Sequence, residues 1–182
     1  MQTYVALLRG INISGKKVVP MNELKRLFID SGFSDVVTYI NSGNVIFRAA
    51  MRSPVQIRSV IEKNLEERFG FDVKVIVVGL KELTGYLSAC PYDQDRLSQG
   101  EVIYLSLLSA VPQRERTKGT ARYPDEVDEF KVGGKVVYLV AKHGYSKTRY
   151  NNAYFEKELK VDATTRNINT LRKIAEIGLE LH

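Results

Sequence analysis

The 182-residue chain has a single cysteine, two histidines and no long apolar run. Cys90 has no second cysteine to pair with, so an intrachain disulfide is impossible and a zinc site built from cysteines is not expected. No stretch approaches the roughly 20 apolar residues needed to cross a membrane. The amino-terminal MQTYVALLRG also lacks the order of basic, apolar and small residues of a signal peptide. We therefore expect a cytoplasmic protein with no membrane contact.

Few side chains offer acid or base chemistry near neutral pH. His182 is the last residue, which leaves His143 as the one internal histidine. It follows the predicted strand VVYLVAK, where an exposed strand-end residue is the ordinary explanation. Ser146 lies close in sequence, but no hydrolase motif accompanies it. No group of side chains has the spacing of metal ligands, so we identify no catalytic residue and expect no metal or cofactor.

Positive charge is in excess, with 27 Lys and Arg against 21 Asp and Glu and a formal net charge of +6. This excess favours phosphate-bearing or otherwise anionic partners through long-range attraction. Several basic residues fall in three predicted loops: Arg9, Lys16 and Lys17; Arg114, Arg116, Lys118 and Arg122; and Lys142, Lys147 and Arg149. Loops are where a basic residue is least needed for helix solubility. A nucleic acid or a nucleotide is therefore the partner that we expect.

The first half of the chain shows the order βαββαβ. TYVALL, residues 3 to 8, is a nearly continuous apolar run typical of a central strand. Apolar residues recur at helical spacing over residues 21 to 31. DVVTYI and NVIFRA flank a turn as a hairpin, and Ser53 to Gln56 fits a capping box with Pro54 at the first helical position. DVKVIVV closes the unit as a fourth strand, which gives the ferredoxin-like split order.

From Leu80 the chain repeats part of this order. LKELTGYLSA predicts a short helix, and the polar CPYDQDRLSQG predicts a connector. EVIYLSLL predicts a strand, EFKVGGKVVYLVAKH a hairpin, NAYFEKEL a helix, and INTLRKIAEIGLEL a terminal helix in place of a closing strand. We therefore predict an α+β fold of two ferredoxin-like units packed together, residues 1–88 and 89–182, with the second unit incomplete and ending in helices.

The loop GINISGKK after the first strand resembles a phosphate-binding P-loop, because Gly10, Gly15 and Lys16 have the right spacing. A P-loop also needs Ser or Thr after the lysine and a helix that starts there. Lys17 stands at that position, and three further residues delay the helix. We therefore expect a simple anion site here and no nucleotidase.

A second polar cluster, TTRNINT, spans residues 164 to 170. Thr165 or Asn167 is suited to cap the final helix. Capping does not explain Arg166, because a cation at a helix amino terminus opposes the helix dipole. Two explanations fit Arg166: a buried acidic partner or a bound anion.

Five spaced motifs carry a family resemblance over essentially the whole chain. They are LLRGIN at 7–12, SGKK at 14–17, TYINSGNV at 38–45, FGFDV at 69–73 and TRNINT at 165–170. Together they resemble the bacterial domain of unknown function numbered 1697. The resemblance implies an α+β protein built on ferredoxin-like units and supplies no activity, cofactor or catalytic residue. Ile168 departs from the tryptophan common in that family, which weakens the idea of an aromatic ring stacking on a ligand there.

The expected strand order brings two polar loops together. In the order 4-1-3-2, the loop after the first strand lies at the same sheet end as the hairpin joining strands two and three. RGINISGKK and INSGN should therefore be neighbours. Asparagine donates and accepts hydrogen bonds, arginine grips a phosphate with two, and lysine adds a point charge. The predicted ligand-binding residues, in a polar cleft between the halves, are Arg9, Asn12, Lys16, Lys17, Asn41, Ser42, Asn44, Arg166 and Asn167.

Three functions stay open on the sequence. The first is binding of a phosphate-bearing ligand, either nucleic acid or nucleotide. The second is an enzyme that uses the same cleft on a small phosphorylated substrate, and the third is a structural polar network with a protein-interaction role. Tyr4, Tyr39 or Tyr104 would stack on bases only from an open sheet face. These motifs are specific to no single ligand and to no oligomeric state.

Overall fold

The computed structural model describes residues 1–50, 53–118, 123 and 128–181. The protein has an α+β fold with two four-stranded antiparallel sheets, as predicted at that level. Contacts divide it into two units, Met1–Gly85 with Arg172–His182, and Tyr86–Leu171. The division into residues 1–88 and 89–182 that the sequence suggests remains a prediction. None of the helices in the described ranges has the length and apolar character to span a membrane.

The first unit contains one sheet and the helices that follow its strands. Its elements are β1 (Gln2–Leu8), α1 (Met21–Asp30), β2 (Ser34–Tyr39), β3 (Asn44–Ala49), α2 (Pro54–Phe69), β4 (Val75–Gly79) and the start of α3 (Leu80–Ser88). The strand order is β2-β3-β1-β4, and all three pairings are antiparallel. Ala6 pairs with Val45, so the two strands predicted to be neighbours share one sheet.

Local sequence explains where these elements begin and end. The Ser53 side chain accepts a hydrogen bond from the Gln56 amide while the Gln56 side chain accepts one from the Ser53 amide, so the predicted capping box is confirmed. Gly70 ends α2 in the left-handed conformation, with φ of 76°. Five consecutive residues of β1, from Tyr4 to Leu8, are buried, as its apolar run predicts for a central strand.

The second unit repeats the arrangement with shorter helices. Its elements are a 3-10 turn (Gln94–Arg96), β5 (Val102–Leu108), α4 (Arg114–Lys118), β6 (Glu129–Val132), β7 (Val136–Ala141), α5 (Asn152–Leu159), β8 (Ala163–Asn167) and the start of α6 (Ile168–Glu180). The strand order is β6-β7-β5-β8, again fully antiparallel. Arg122 of the predicted basic loop and His182 lie outside the described residues.

The prediction that the second unit is incomplete was wrong. The segment ATTRN forms the strand β8, which pairs with β5 and supplies a fourth strand before the terminal helix. The sequence pattern did not indicate β8, because a strand with polar threonines lacks the apolar alternation that identifies strands in sequence. The hydroxyl of Thr165, a half-buried residue, lies 2.6 Å from the Ser106 hydroxyl and donates to the Asn152 side chain, so this polar atom is satisfied.

Each unit has its own apolar core. In the first, Phe28, Phe33 and Phe47 pack with ring centroids 4.7–5.8 Å apart beneath α1. In the second, Phe130 meets Phe155 edge to face at 5.2 Å, in a cluster with Leu139. Aromatic pairs of this kind add to the free energy of burial.

Candidate functional site

One end of the first sheet carries the candidate site, which we call the loop edge. It consists of residues 9–20 after β1, residues 40–43 between β2 and β3, and residues 70–74 before β4. The Leu8 amide donates to the Gly43 carbonyl at 2.8 Å, and the Arg9 amide donates to the Lys74 carbonyl at 2.9 Å. The predicted meeting of the first loop with the INSGN hairpin is therefore present.

Residues 12–17 form a small hairpin, which we call the finger. Ser14 and Gly15 have φ of 50° and 73°, the positive pair of a type I′ turn. The backbone amide of Lys16 donates to the Ile13 carbonyl at 2.9 Å, and the backbone amide of Asn12 donates to the Lys17 carbonyl at 3.1 Å. A P-loop needs free amides turned toward phosphate at a helix start, whereas these amides close a hairpin and α1 begins only at Met21. The expectation that this is no P-loop is confirmed.

Asn12 fastens the finger to its surroundings. Its side-chain oxygen accepts from the Val19 amide at 2.8 Å, and its amide nitrogen donates to the Val19 carbonyl at 3.0 Å. The same nitrogen donates to the Asn41 carbonyl at 2.8 Å. One side chain thus joins both arms of the first loop and ties them to the β2–β3 turn.

Asn44 and Gly43 fix that turn from inside. Asn44 is fully buried, and its amide donates to the Tyr39 carbonyl at 2.8 Å and to the Ser42 hydroxyl at 3.1 Å. Gly43 has φ of 79°, and a Cβ there would lie 2.6 Å from Ile11 Cδ1. Only glycine avoids both the strain and the clash.

The two adjacent lysines of the finger have different surroundings. Lys17 is half-buried, donates to the backbone carbonyl and carboxylate of Asp72, and lies 5.8 Å from the centroid of the Phe71 ring. Lys16 is exposed and forms no ion pair with any residue in the described part of the chain. Lys17 therefore anchors the finger, while the charge of Lys16 is available to a ligand.

The remaining first-unit residues of the predicted site lie around the finger. The side chains of Asn41 and Ser42 are exposed in the β2–β3 turn, and Arg9 is half-buried at the end of β1. The exposed Lys74 adds a further cation. Six of the nine predicted residues therefore belong to one loop edge, and a seventh, Asn44, begins β3 next to it. Asp72 is the single acidic residue in the three segments of the loop edge.

Backbone strain is concentrated here. Four of the six non-glycine residues with positive φ in the described ranges are Asn12, Ser14, Lys17 and Ile40. Asparagine tolerates this conformation, whereas it costs roughly 1–2 kcal/mol for a residue such as Ser14 or Lys17, and for β-branched Ile40, with φ of 50°, it is a marked outlier. Conformations of this kind persist where surrounding contacts impose them, and they cluster at functional sites.

Arg166 and Asn167 belong to the second unit. Asn167 caps α6, since its side-chain oxygen accepts from the Asn169 amide at 2.8 Å. Arg166 lies within β8, where it pairs with Leu105, and its guanidinium donates to the Thr164 hydroxyl at 3.0 Å and to the Thr165 carbonyl at 2.9 Å. Burial lowers the pKa of Arg166 to about 10. The predicted cleft that includes these residues stays a prediction.

The tyrosines considered as base platforms have neighbours of their own. Tyr4 is 3% exposed and stacks on Phe47 at 6.0 Å. Tyr104 is half-buried and packs on Tyr145 at 5.2 Å, and Tyr39 is half-buried at the end of β2. Tyr4 is therefore a core residue and offers no open face.

A cavity that the sequence did not indicate lies at the opposite end of β1. Its volume is about 730 Å³, within the size range of small-molecule sites. The lining residues are Gln2, Tyr4, Ser53, Pro54, Gln56, Gly79, Lys81 and Glu82. Pro54, the first residue of α2, has no amide hydrogen, the Gln56 amide is used by the capping box, and Lys81 and Glu82 carry opposite charges. These features give the cavity no net preference for anions.

Comparison with known proteins places the chain in a family. The family model described as "Protein of unknown function (DUF1697)" matches residues 1–138. No curated protein matches the chain. The solved structure of a conserved bacterial protein from Streptococcus pneumoniae is similar, with a TM-score of 0.71 and 24% sequence identity over 97% of this chain and 98% of that one. That likeness shows a common fold. Since the family model covers more than half of the sequence, the chain belongs to the DUF1697 family.

Proposed function

We propose that the loop edge binds an anionic, phosphate-bearing ligand, either a nucleic acid or a nucleotide. The observation that carries the proposal is the strained backbone of the two joined loops, with left-handed Asn12, Ser14, Lys17 and Ile40. Strain of about 1–2 kcal/mol per residue opposes folding, so its concentration at one basic edge favours a role in binding.

The site residues divide into supports and contacts. Asn12, Asn44 and Lys17 have their polar atoms engaged within the protein, so they hold the loops in place. Lys16 and Asn41 present a cation and an amide at the surface, and these groups suit phosphate oxygens. The Ser42 hydroxyl is exposed beside them and also accepts a hydrogen bond from the Asn44 side chain. Arg9 and Lys74 raise the positive potential of the edge.

Arg166 and Asn167 are left out of the proposed ligand set. The side-chain oxygen of Asn167 is used in capping α6. The guanidinium of Arg166 donates to neighbouring groups of its own strand, so those contacts account for it without an anion.

Binding is favoured over catalysis at this edge. Residues 9–20, 40–43 and 70–74 contain no histidine, and their one acidic side chain, Asp72, is an ion-pair partner of Lys17. These segments thus contain no imidazole and no unpaired carboxylate to act as a general acid or base. The engaged side chains of Asn12 and Asn44 do agree with the alternative of a structural polar network, which the experiment below separates from binding.

We further propose that each unit is ferredoxin-like and that the protein works in the cytoplasm. The strand orders β2-β3-β1-β4 and β6-β7-β5-β8, each with helical crossovers, support the first statement. The single cysteine, which permits no intrachain disulfide, supports the second.

Thermal shift with inorganic phosphate, pyrophosphate and mononucleotides tests the proposal. A ligand at one hundred times its Kd should stabilise the wild type by about 2.7 kcal/mol. Lys16→Glu should abolish that shift without lowering the melting temperature of the free protein, because Lys16 is exposed.

Lys25→Glu is the matched control. Lys25 is an exposed lysine of α1, and its reversal changes the net charge equally. The control should respond to the ligand like the wild type. Equal responses of both variants, or no response of the wild type to any phosphate compound or nucleic acid, would leave the structural network as the better explanation.

A further inference from the structure

The finger is a convex element. Every residue from Ile13 to Lys16 is exposed, and Ile13 has 62% of its surface in solvent. Sites for small molecules are concave and surround most of the ligand. A projecting hairpin instead suits the groove of a larger partner.

The dimensions of the finger match one kind of groove. Its two arms, residues 12–13 and 16–17, have two residues each and are joined by the turn residues Ser14 and Gly15, so at about 3.3 Å per residue the finger extends about 7 Å. The major groove of B-form DNA is about 12 Å wide and 8.5 Å deep and admits a two-stranded β-ribbon. The major groove of A-form RNA is too narrow for side chains to read.

The side chains of the loop edge also favour a duplex over a single strand. Binding of single strands relies on aromatic rings that stack on bases, and residues 9–20 and 40–43 contain none. Phe71, the one aromatic residue of the loop edge, is half-buried and has the Lys17 ammonium 5.8 Å from its ring centroid. Apolar side chains are exposed instead: Ile13 at 62%, Val18 at 56% and Ile40 at 49%. Aliphatic groups contact thymine methyls in the major groove, while flanking lysines reach the phosphates.

Resting on the function proposed above, we infer that the phosphate-bearing partner is double-stranded DNA, with the finger in the major groove. Ile13 lies against base edges, and Lys16 contacts the phosphate backbone. The rigid anchoring of the finger by Asn12 and Lys17 lowers the entropy cost of insertion, because the hairpin is already formed.

Fluorescence anisotropy on the full chain tests this inference with four probes. They are a short mixed-sequence DNA duplex, one of its strands alone, the RNA duplex of the same sequence, and inorganic phosphate as a competitor. The DNA duplex should bind most tightly, with an affinity that falls steeply with salt. Lys16→Ala should reduce the log–log salt slope by about 1 on every DNA sequence.

Ile13→Ala separates groove insertion from simple charge attraction. It should weaken binding to the duplex roughly fourfold to fifteenfold, the contribution of one to two buried methylenes, and leave the salt slope unchanged. Val55→Ala is the control, because Val55 is equally exposed, at 63%, on α2 of the same unit. This control should bind DNA like the wild type.

The outcomes distinguish the inference from the proposed function beneath it. Equal affinity for duplex and single strand, or Ile13→Ala binding like Val55→Ala, would overturn groove insertion. A thermal shift with mononucleotides that Lys16→Glu removes, together with no retention of DNA at low salt, would overturn the inference and uphold the proposed function. No binding of DNA, mononucleotide or phosphate would overturn both.

Discussion

The two units use the same backbone frame with different side chains at the same sheet end. In the first, the Leu8 amide bonds to Gly43 and the Arg9 amide bonds to Lys74. In the second, the Leu108 amide bonds to the Lys135 carbonyl and the Ser109 amide bonds to the Asp162 carbonyl, both at 2.9 Å. The same backbone hydrogen bonds therefore form in the second unit, where Lys135 and Val136 take the places of Gly43 and Asn44.

The difference is the loop that each frame supports. Twelve residues, Arg9 to Pro20, connect β1 to α1, whereas residues 109 to 113 suffice between β5 and α4. Leu7 pairs with Asn44, and the equivalent Leu107 pairs with Val136. A buried polar residue in the first unit thus replaces an apolar one in the second. The replacement serves the turn and the long basic loop, since the sheet itself forms with valine.

The largest expected effect is at Gly43. Gly43→Ala should lower the free energy of unfolding by about 3 kcal/mol, because it combines left-handed strain with contacts too short for a Cβ. Gly134→Ala in the second unit is the matched control, with φ of 69° and nothing within 4 Å of its Cβ. It should cost about 1 kcal/mol, from strain alone. Urea unfolding followed by circular dichroism measures both, and equal losses would contradict the close approach.

Asn44→Val places in the first unit the valine that the second unit has at the equivalent position, Val136. The variant should remain folded but lose about 1–3 kcal/mol, because the hydrogen bonds that the Asn44 side chain donates to the Tyr39 carbonyl and the Ser42 hydroxyl are removed. Urea unfolding measures the loss, and faster hydrogen exchange of the 40–43 amides should accompany it. A fully stable variant with unchanged exchange would show that Asn44 does not support the turn.

The smallest expected effect concerns a polar residue that the second unit buries and the first does not. Tyr138 pairs with Leu105 as Ile46 pairs with Val5, and its hydroxyl donates to the Tyr86 carbonyl at 2.9 Å. Tyr138→Phe should cost about 1 kcal/mol at neutral pH.

The Tyr138 substitution also has a signed pH dependence. Burial raises the pKa of Tyr138 to about 12, from 10.0 in the unfolded chain. Its contribution to stability is therefore complete below pH 10 and is lost as the pH rises toward 12. The difference between wild type and Tyr138→Phe should shrink over that window in urea titrations at each pH. A difference that stays constant would mean that the hydroxyl is not buried as described.

Elements whose ends depend on residues adjacent in sequence were predictable. The capping box at Ser53 and the apolar run of β1 located their elements to within a residue or two. The strand β8 was missed because its threonines leave no apolar pattern in the sequence. Thr164 is buried and accepts from the Arg166 guanidinium, and the half-buried Thr165 forms tertiary hydrogen bonds.

The candidate site was predictable in position but not in roles. The topology correctly brought Asn12 and Asn41 together. The side chains of Asn12 and Asn44 form their hydrogen bonds to other groups of the same loops. These partners follow from the geometry of the loops, which residue types do not reveal. The different surroundings of Lys16 and Lys17 likewise follow from the hairpin, whose turn directs Lys17 toward Asp72.

We expect the loop edge of the first unit, and not the matching edge of the second, to bind phosphate. Titration of pyrophosphate into isotope-labelled protein, followed through the amide chemical shifts, measures this residue by residue. Saturable shifts should occur at residues 9–17 and 40–43, and none at residues 109–113 and 133–135. Shifts confined to the second unit, or to Gln2 and Lys81 at the cavity of the first sheet, would contradict it.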